Sequence, residues 1–172
     1  GYSTKNALFG RFFMPVVWLL TSPSAASANA LPDICVSTNF DEQAYIEHVI
    51  DGDTVILSDQ RHIRLVGINT PELDHDNYPA SEPGAIEARD HLRELLDQQH
   101  RVKLQYDRER RDRHGRTLAH LLLDDNSNVQ ALMLNRGLAT ALTIPPNLRN
   151  LDCYRTVSAQ ARQQQRGLWA LP

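Results

Sequence analysis

The feature that most constrains the fold is the crowding of three short β-rich runs, at residues 45–50, 54–57 and 62–68, between turn signals at Asp51-Gly52 and Ser58-Asp59-Gln60. Runs this short, rich in Val, Ile and Thr and separated by tight turns, predict a three-stranded antiparallel meander. A meander cannot bury both of its faces by itself, so the rest of the chain must supply a partner layer. Residues 73–83 are polar, contain proline and lack periodicity, which predicts a loop.

Helical spacing follows the loop. Pro83 sits near a first turn, and Ala85, Ala88, Leu92, Leu95 and Leu96 then recur along one face before the pattern fades at Gln98-Gln99. Residues 101–106 and 117–123 read as two more strands, with an arginine-rich loop between them and a turn at Asp124-Asp125-Asn126. Asn128 is placed to cap a short helix that turns Val129, Leu132 and Met133 inward and stops at Gly137. A last helix over residues 151–165 sets Leu151, Tyr154, Val157, Ser158 and Ala161 on one face, with Gly167 as its stop. One helix after the third strand and two after the fifth predict a mixed β-barrel plus α fold. That is a five-stranded Greek-key barrel of the oligonucleotide/oligosaccharide-binding (OB-fold) type with three helices.

The ends and the charge set the context. Lys5 and Arg11 precede an apolar stretch broken by Pro15, and small residues then lead to Ala28-Asn29-Ala30. This is the layout of a secretory signal peptide over residues 1–30, with too short an apolar run for a spanning helix. The expectation is a secreted or periplasmic chain, with no stable membrane association once the leader is removed. Residues 31–43 then form an N-terminal arm and residues 44–170 a single domain. The formal net charge of −3 is not that of a general nucleic-acid binder. Residues 101–116 nevertheless hold seven basic side chains against three acidic ones, a local positive stripe on an acidic body. Cys35 and Cys153 are an even pair in a chain bound for an oxidising compartment, so a disulfide between them is expected.

Three segments hold the chemistry: Asp51-Gly52-Asp53-Thr54, residues 64–72 from Arg64 to Glu72, and Asp112-Arg113-His114-Gly115-Arg116. Asp-Gly between strands is by itself a hairpin turn. Its company suggests more, because Asn69, Thr70 and Glu72 leave a strand with an amide, a hydroxyl and a carboxylate close together. Asp53, the Asn69 side-chain carbonyl and the Thr70 backbone carbonyl form an all-oxygen set suited to a hard cation such as calcium.

In these residues the chain resembles the thermonuclease family, staphylococcal nuclease and its relatives. The likeness rests on the D-G-D-T strand end, the R-L-x-G-x-x-T-P-E segment and the D-R-H-G-R strand start, and runs from about Ile46 to Trp169. It implies a calcium-dependent endonuclease acting on DNA, RNA or both. Asp53 then matches the principal metal carboxylate, with Asp51 as a supporting acid. Glu72 matches the residue that activates or positions the attacking water, and Arg64 and Arg116 match two guanidiniums that grip the phosphate. Arg113 and His114, with Arg108, Arg110 and Arg111, are the expected substrate-binding residues on the basic loop. Asn69 stands where the best-known member has an aspartate, one formal charge fewer at the metal. The competing expectation is a catalytically silent OB-fold module that binds nucleic acid or a protein. A monomer is expected in either case.

Overall fold

The computed structural model describes Gly1, residues 30–97 and residues 101–172. The expected leader, apart from its two end residues, and the fade at Gln98-Gln99 lie outside the described residues. Five strands close a barrel in the order β1 (Glu42–Asp51), β2 (Thr54–Leu57), β3 (His62–Leu65), β6 (Thr117–Leu122) and β5 (Arg101–Gln105). Three helices accompany it, α1 (Ala85–Asp97), α2 (Val129–Asn135) and α3 (Leu151–Gln163).

Closure depends on β1. Its first half pairs with β5, from Glu42 opposite Leu104 to Tyr45 opposite Arg101, and its second half pairs with β2, from Ile46 opposite Leu57 to Asp51 opposite Thr54. Register shifts fall between Ile46 and His48 and between Val49 and Asp51. Irregularities of this kind bend a strand and increase its twist, which lets one strand serve two neighbours. The barrel is completed by β3 and β6, which run parallel with Ile63 opposite Thr117 and Arg64 opposite Leu118. A parallel pair needs a long crossover, and α1 and β5 supply it. Val55, Leu57, Ile63, Leu65, Leu104 and Leu121 fill the interior, and Leu92 and Leu96 of α1 and Met133 and Leu134 of α2 join the same core.

The third strand is shorter than its sequence suggests. It ends at Leu65, and Gly67, with φ +90, reverses the chain. A Cβ at Gly67 would lie 2.5 Å from the Tyr154 ring, so the position excludes a side chain by contact as well as by backbone conformation. Ile68–Asn69 becomes a separate strand, β4, paired with β7 (Thr140–Ala141) in a small second sheet. Alternation along a single strand would have set Asn69 on the core-facing side with Ile63 and Leu65; the reversal instead leaves it exposed, with Oδ1 3.3 Å from Arg64 Nη2.

Cys35 and Cys153 form a disulfide that ties a 3-10 turn in the arm (Asp33–Cys35) to the first turn of α3. Closing a span of 118 residues is worth about 4–5 kcal/mol in the chain-entropy model, less any native strain. The arm is also held by hydrogen bonds from Gln105 to the Asn39 carbonyl (2.7 Å) and from the Tyr106 amide to Asp41 (2.7 Å).

Beneath the arginine-rich loop lies a buried polar chain whose direction follows from a helix cap. Asn128 Oδ1 accepts from the Ala131 amide (2.8 Å), which leaves Nδ2 to donate to the Tyr154 hydroxyl (3.0 Å). That hydroxyl therefore donates onward to His120 Nδ1 (2.6 Å), and His120 donates from Nε2 to Asp107 (2.9 Å). His120 is fully buried, and burial, opposed by the Asp107 carboxylate, holds its pKa below the usual imidazole value. A second proton on Nδ1 would strand the buried Tyr154 hydroxyl hydrogen. His120 is neutral in the fold, so its contribution is present above the ordinary imidazole pKa and lost as pH falls through the depressed value. His120→Gln is expected to cost about 1–3 kcal/mol at pH 7.5, the cost of unsatisfying buried partners. Denaturant melts of both proteins should show that difference shrinking toward pH 5; a pH-independent difference would contradict a neutral His120.

Candidate active site

Strand register brings the first two motifs together. Arg64 lies opposite Thr54 at the start of β2, so its guanidinium meets the preceding residue, Asp53. Arg64 Nη2 is 3.2 Å from Asp53 Oδ2 and 3.3 Å from Asn69 Oδ1, while Nη1 donates to the Leu65 carbonyl. Asp53 Oδ2 also accepts from the Thr70 amide (3.0 Å), and Oδ1 accepts from the Thr54 hydroxyl (3.2 Å). The Asp53 and Arg64 side chains are only 10% and 14% exposed, so their attraction is less screened by water than that of a surface pair.

Gly52 makes this approach possible. A Cβ there would stand 2.8 Å from both the Thr70 side chain and Ala88 of α1. The glycine of the Asp51-Gly52 turn is therefore required by close packing, whereas the sequence suggested only a turn preference. Asp51 accepts from the Asp53 amide (3.1 Å), and its carboxyl is pushed up to about 6, first by burial and then by the neighbouring Asp53 charge. Two carboxyl groups and the Asn69 amide oxygen thus gather at the rim, and one Nη2 of Arg64 is shared between two of them.

Family likeness implies a metal cofactor, and this donor set fits one. The groups present are oxygens, two of them acidic, and the cost of holding Asp51 ionised beside Asp53 is the cost a cation would relieve. Among the described residues no three His, Cys, Asp or Glu side chains gather as a metal cluster. Any metal here would therefore rely on amide and main-chain oxygens as well as carboxylates.

A groove of about 560 Å³ adjoins this point, and both Arg64 and Arg116 line it together with Arg111, Asp112, Arg113 and His114. The parallel pairing of β3 with β6 is the cause, since Thr117 opposite Ile63 brings Arg116 alongside β3. Asp112 fixes Arg116. One carboxylate oxygen accepts from the Arg116 and His114 amides (2.9 Å each), and the other accepts from Arg116 Nε (2.7 Å). Burial works against ionisation of Asp112, but these hydrogen bonds and the guanidinium charge hold its pKa below the ordinary value. The Arg116 Nη groups remain for an anion.

Other expected residues are placed elsewhere. Arg110 stacks over the Tyr106 ring at 4.0 Å, and neither it nor Arg108 lines the groove. Glu72 is also outside the groove lining. Its main chain is braced by Glu82, through Glu72 N to Glu82 Oε2 (2.8 Å) and Glu82 N to the Glu72 carbonyl (3.0 Å). The exposed Glu72 carboxylate has no ion pair or hydrogen bond among the described residues.

Sequence reasoning missed Asp112 as the clamp on Arg116 and Asp107 as the anchor of the loop. Asp107 accepts from the amides of Arg108 and Arg149 as well as from His120. An aspartate four residues before an arginine, with Gly115 between them, was a legible sign of the first. Nothing local signalled the second.

Carboxylates and guanidiniums thus gather on the rim of a closed five-stranded barrel of the OB-fold type. The family model of staphylococcal nuclease homologues matches residues 62–171. A thermonuclease of Staphylococcus intermedius is 39% identical over 134 residues, covering 74% of each chain. One from Staphylococcus hyicus is 34% identical over 137 residues, covering 77% of this chain and 79% of its own. Endonuclease YncB of Bacillus subtilis (strain 168) is 31% identical over 130 residues, or 73% of this chain and 60% of that one. The chain belongs to the staphylococcal nuclease family, and it is a nuclease.

Gly52→Ala is expected to push the Asp53 turn away from Thr70 and α1, at about 1–3 kcal/mol for overpacking. Chemical denaturation measures that cost. Loss of the hydrogen-bonded Thr70 amide shift in NMR spectra should accompany it, and an unmoved Thr70 amide would show that the contact relaxes elsewhere.

Proposed function

We propose that this chain is a calcium-dependent endonuclease that hydrolyses DNA, RNA or both, works as a secreted or periplasmic monomer after leader removal, and forms no stable membrane association. The observation that most supports this reading is the Arg64 guanidinium, shared between Asp53 and Asn69 and lining the same groove as Arg116. No helix among the described residues is long and apolar enough to cross a membrane.

Asp53 is the principal metal carboxylate, Asp51 its supporting acid, and Asn69 and Thr70 add side-chain and main-chain carbonyl oxygens. Calcium suits hard oxygen donors, and when bound it would supply positive charge to polarise the phosphate. Glu72, whose carboxylate is unpaired, accepts the proton of the water that attacks phosphorus. The P–O ester bond then breaks on the opposite side, and the departing oxygen takes a proton from solvent. Arg64 and Arg116 donate to the phosphoryl oxygens as negative charge grows there, and a planar guanidinium can do so through two parallel bonds. Arg111, Arg113 and His114 hold the neighbouring strand, with Arg108 and Arg110 contributing long-range attraction.

Cleavage of single-stranded DNA with calcium, repeated with chelator, tests this reading. Loss of cleavage with chelator is expected. Salt-dependent binding without cleavage under either condition would favour the silent module instead. Replacing Arg64 or Arg116 by Lys is expected to cost about 2–4 kcal/mol of transition-state stabilisation. Unchanged turnover in both variants would remove them from the mechanism.

Asn69 supplies an oxygen without charge, so calcium should bind more weakly here than in an all-carboxylate site. Extracellular calcium modules work at dissociation constants of about 0.1–1 mM, and a weak site would still fill outside the cytosol. Asn69→Asp is expected to tighten calcium binding and Asp53→Asn to weaken it, both read by calorimetry. No change with Asn69→Asp would place residue 69 outside the metal shell.

A further inference from the structure

A second groove lies on the arginine-rich side, on the far side of Arg116 from Arg64. It encloses about 440 Å³ and is lined by Gln60, Arg61, His62, Arg111, His114 and Arg116, with Gly115 and Thr117 completing the wall. Arg111, His114 and Arg116 also line the first groove, so the two grooves adjoin at these three side chains. The first contains the carboxylates of Glu109 and Asp112, whereas no carboxylate lines the second.

Strand geometry gives the spacing. His62 is exposed and Arg64 half-buried on β3, and the intervening Ile63 and the following Leu65 point into the core. His62 and Arg64 therefore share the outer face, about 6.6 Å apart at 3.3 Å per residue. The pairing of Ile63 with Thr117 brings Arg116 level with His62 on the neighbouring strand. Arg116 is thus flanked by Arg64 in one groove and His62 in the other. Arg61 frames the second groove: its guanidinium is committed to Glu42, Asp59 and the Tyr106 hydroxyl. Arg111 is exposed and has no carboxylate partner among the described residues, which leaves its charge for a ligand.

We propose that this second groove is a phosphate subsite for the nucleotide next to the one being cleaved, with the substrate backbone running from Arg64 across Arg116 to His62 and Arg111. The proposal rests on the nuclease reading and narrows it. The preferred substrate is a strand of several nucleotides, and a single phosphodiester is a poor one. The second groove's lining has guanidinium, imidazole and amide donors and no Phe, Tyr or Trp, so it grips backbone rather than reading base sequence.

Fluorescence anisotropy in chelator, with a dinucleotide and a strand of about twelve nucleotides at several salt concentrations, tests the subsite without requiring cleavage. His62→Glu is expected to lower the long-to-short affinity ratio by about fivefold, because it sets a carboxylate against the phosphate. His62→Lys is expected to raise that ratio and to steepen the long strand's salt slope by up to about 0.7, one single-strand phosphate contact. The position is exposed on a strand, and thermal melting checks that each variant is folded. A ratio within about twofold of wild type in both variants, or wild-type protein that gains nothing from the longer strand, would overturn the subsite. A wild type that binds long strands preferentially yet never cleaves them would overturn the nuclease reading and leave the subsite standing.

Discussion

A carboxylate taken out of water at the rim of a barrel has to be satisfied, and Asp53 shows how the fold is arranged around that requirement. Its two oxygens receive the Thr54 hydroxyl, the Thr70 amide and the Arg64 guanidinium. Each partner comes from a different stretch of chain: the start of β2, the segment after β4, and β3. Removing any one would leave a largely buried charge short of a partner, which costs more than the intact pair contributes. The same requirement explains Gly52, since Thr70 reaches Asp53 only where the turn has no side chain. Asp51 is difficult to ionise for a related reason, first because it is buried and then because the Asp53 charge lies beside it.

The arginine-rich loop presents the opposite electrostatic problem. Its cations lie on a chain with a net negative charge, and several have no carboxylate neighbour. The fold keeps most of them in place through the main chain, Arg116, alone among the described residues of the loop, also being ion-paired to its anchor, Asp112, through Nε. Asp107 takes the amides of Arg108 and Arg149, Asp112 takes those of His114 and Arg116, and Asn147 takes the Glu109 amide. Beneath them the directed chain from Asn128 through Tyr154 to His120 links the loop to α2 and α3, and the Cys35–Cys153 bridge holds α3 against the arm. Positive charge fixed in position, with its Nη groups unspent, is what a negatively charged transition state requires.

Much of the fold was legible locally. Period-two runs and turn residues gave the five barrel strands, the Asn128 cap gave α2, and the apolar faces gave α1 and α3; most ends differ by a residue or two, while β1 begins three residues before its expected start. The break after Leu65 was not legible. Residues 62–68 read as one β-rich run interrupted only by Gly67, and what turns that glycine from a weak strand position into a reversal is its left-handed backbone, packed so closely under the Tyr154 ring, almost ninety residues further along the chain, that no side chain fits. The stacking of Arg110 on Tyr106 was equally hidden, because charge counts along a loop say nothing about which way each arginine turns.

The sequence alone determined the residue types and the order of elements: an oxygen-rich turn, two arginines on strand ends, a basic loop, and the strand pattern of a small closed barrel. These follow from local propensity and chemical type, which act over a few residues. Tertiary structure decided which of these groups meet. The parallel register of β3 and β6 set Arg64 and Arg116 into one groove, and the reversal at Gly67 brought Asn69 and Thr70 back to Asp53. Such placements depend on pairing and packing between distant segments, where a shift of one residue turns a side chain to the other face.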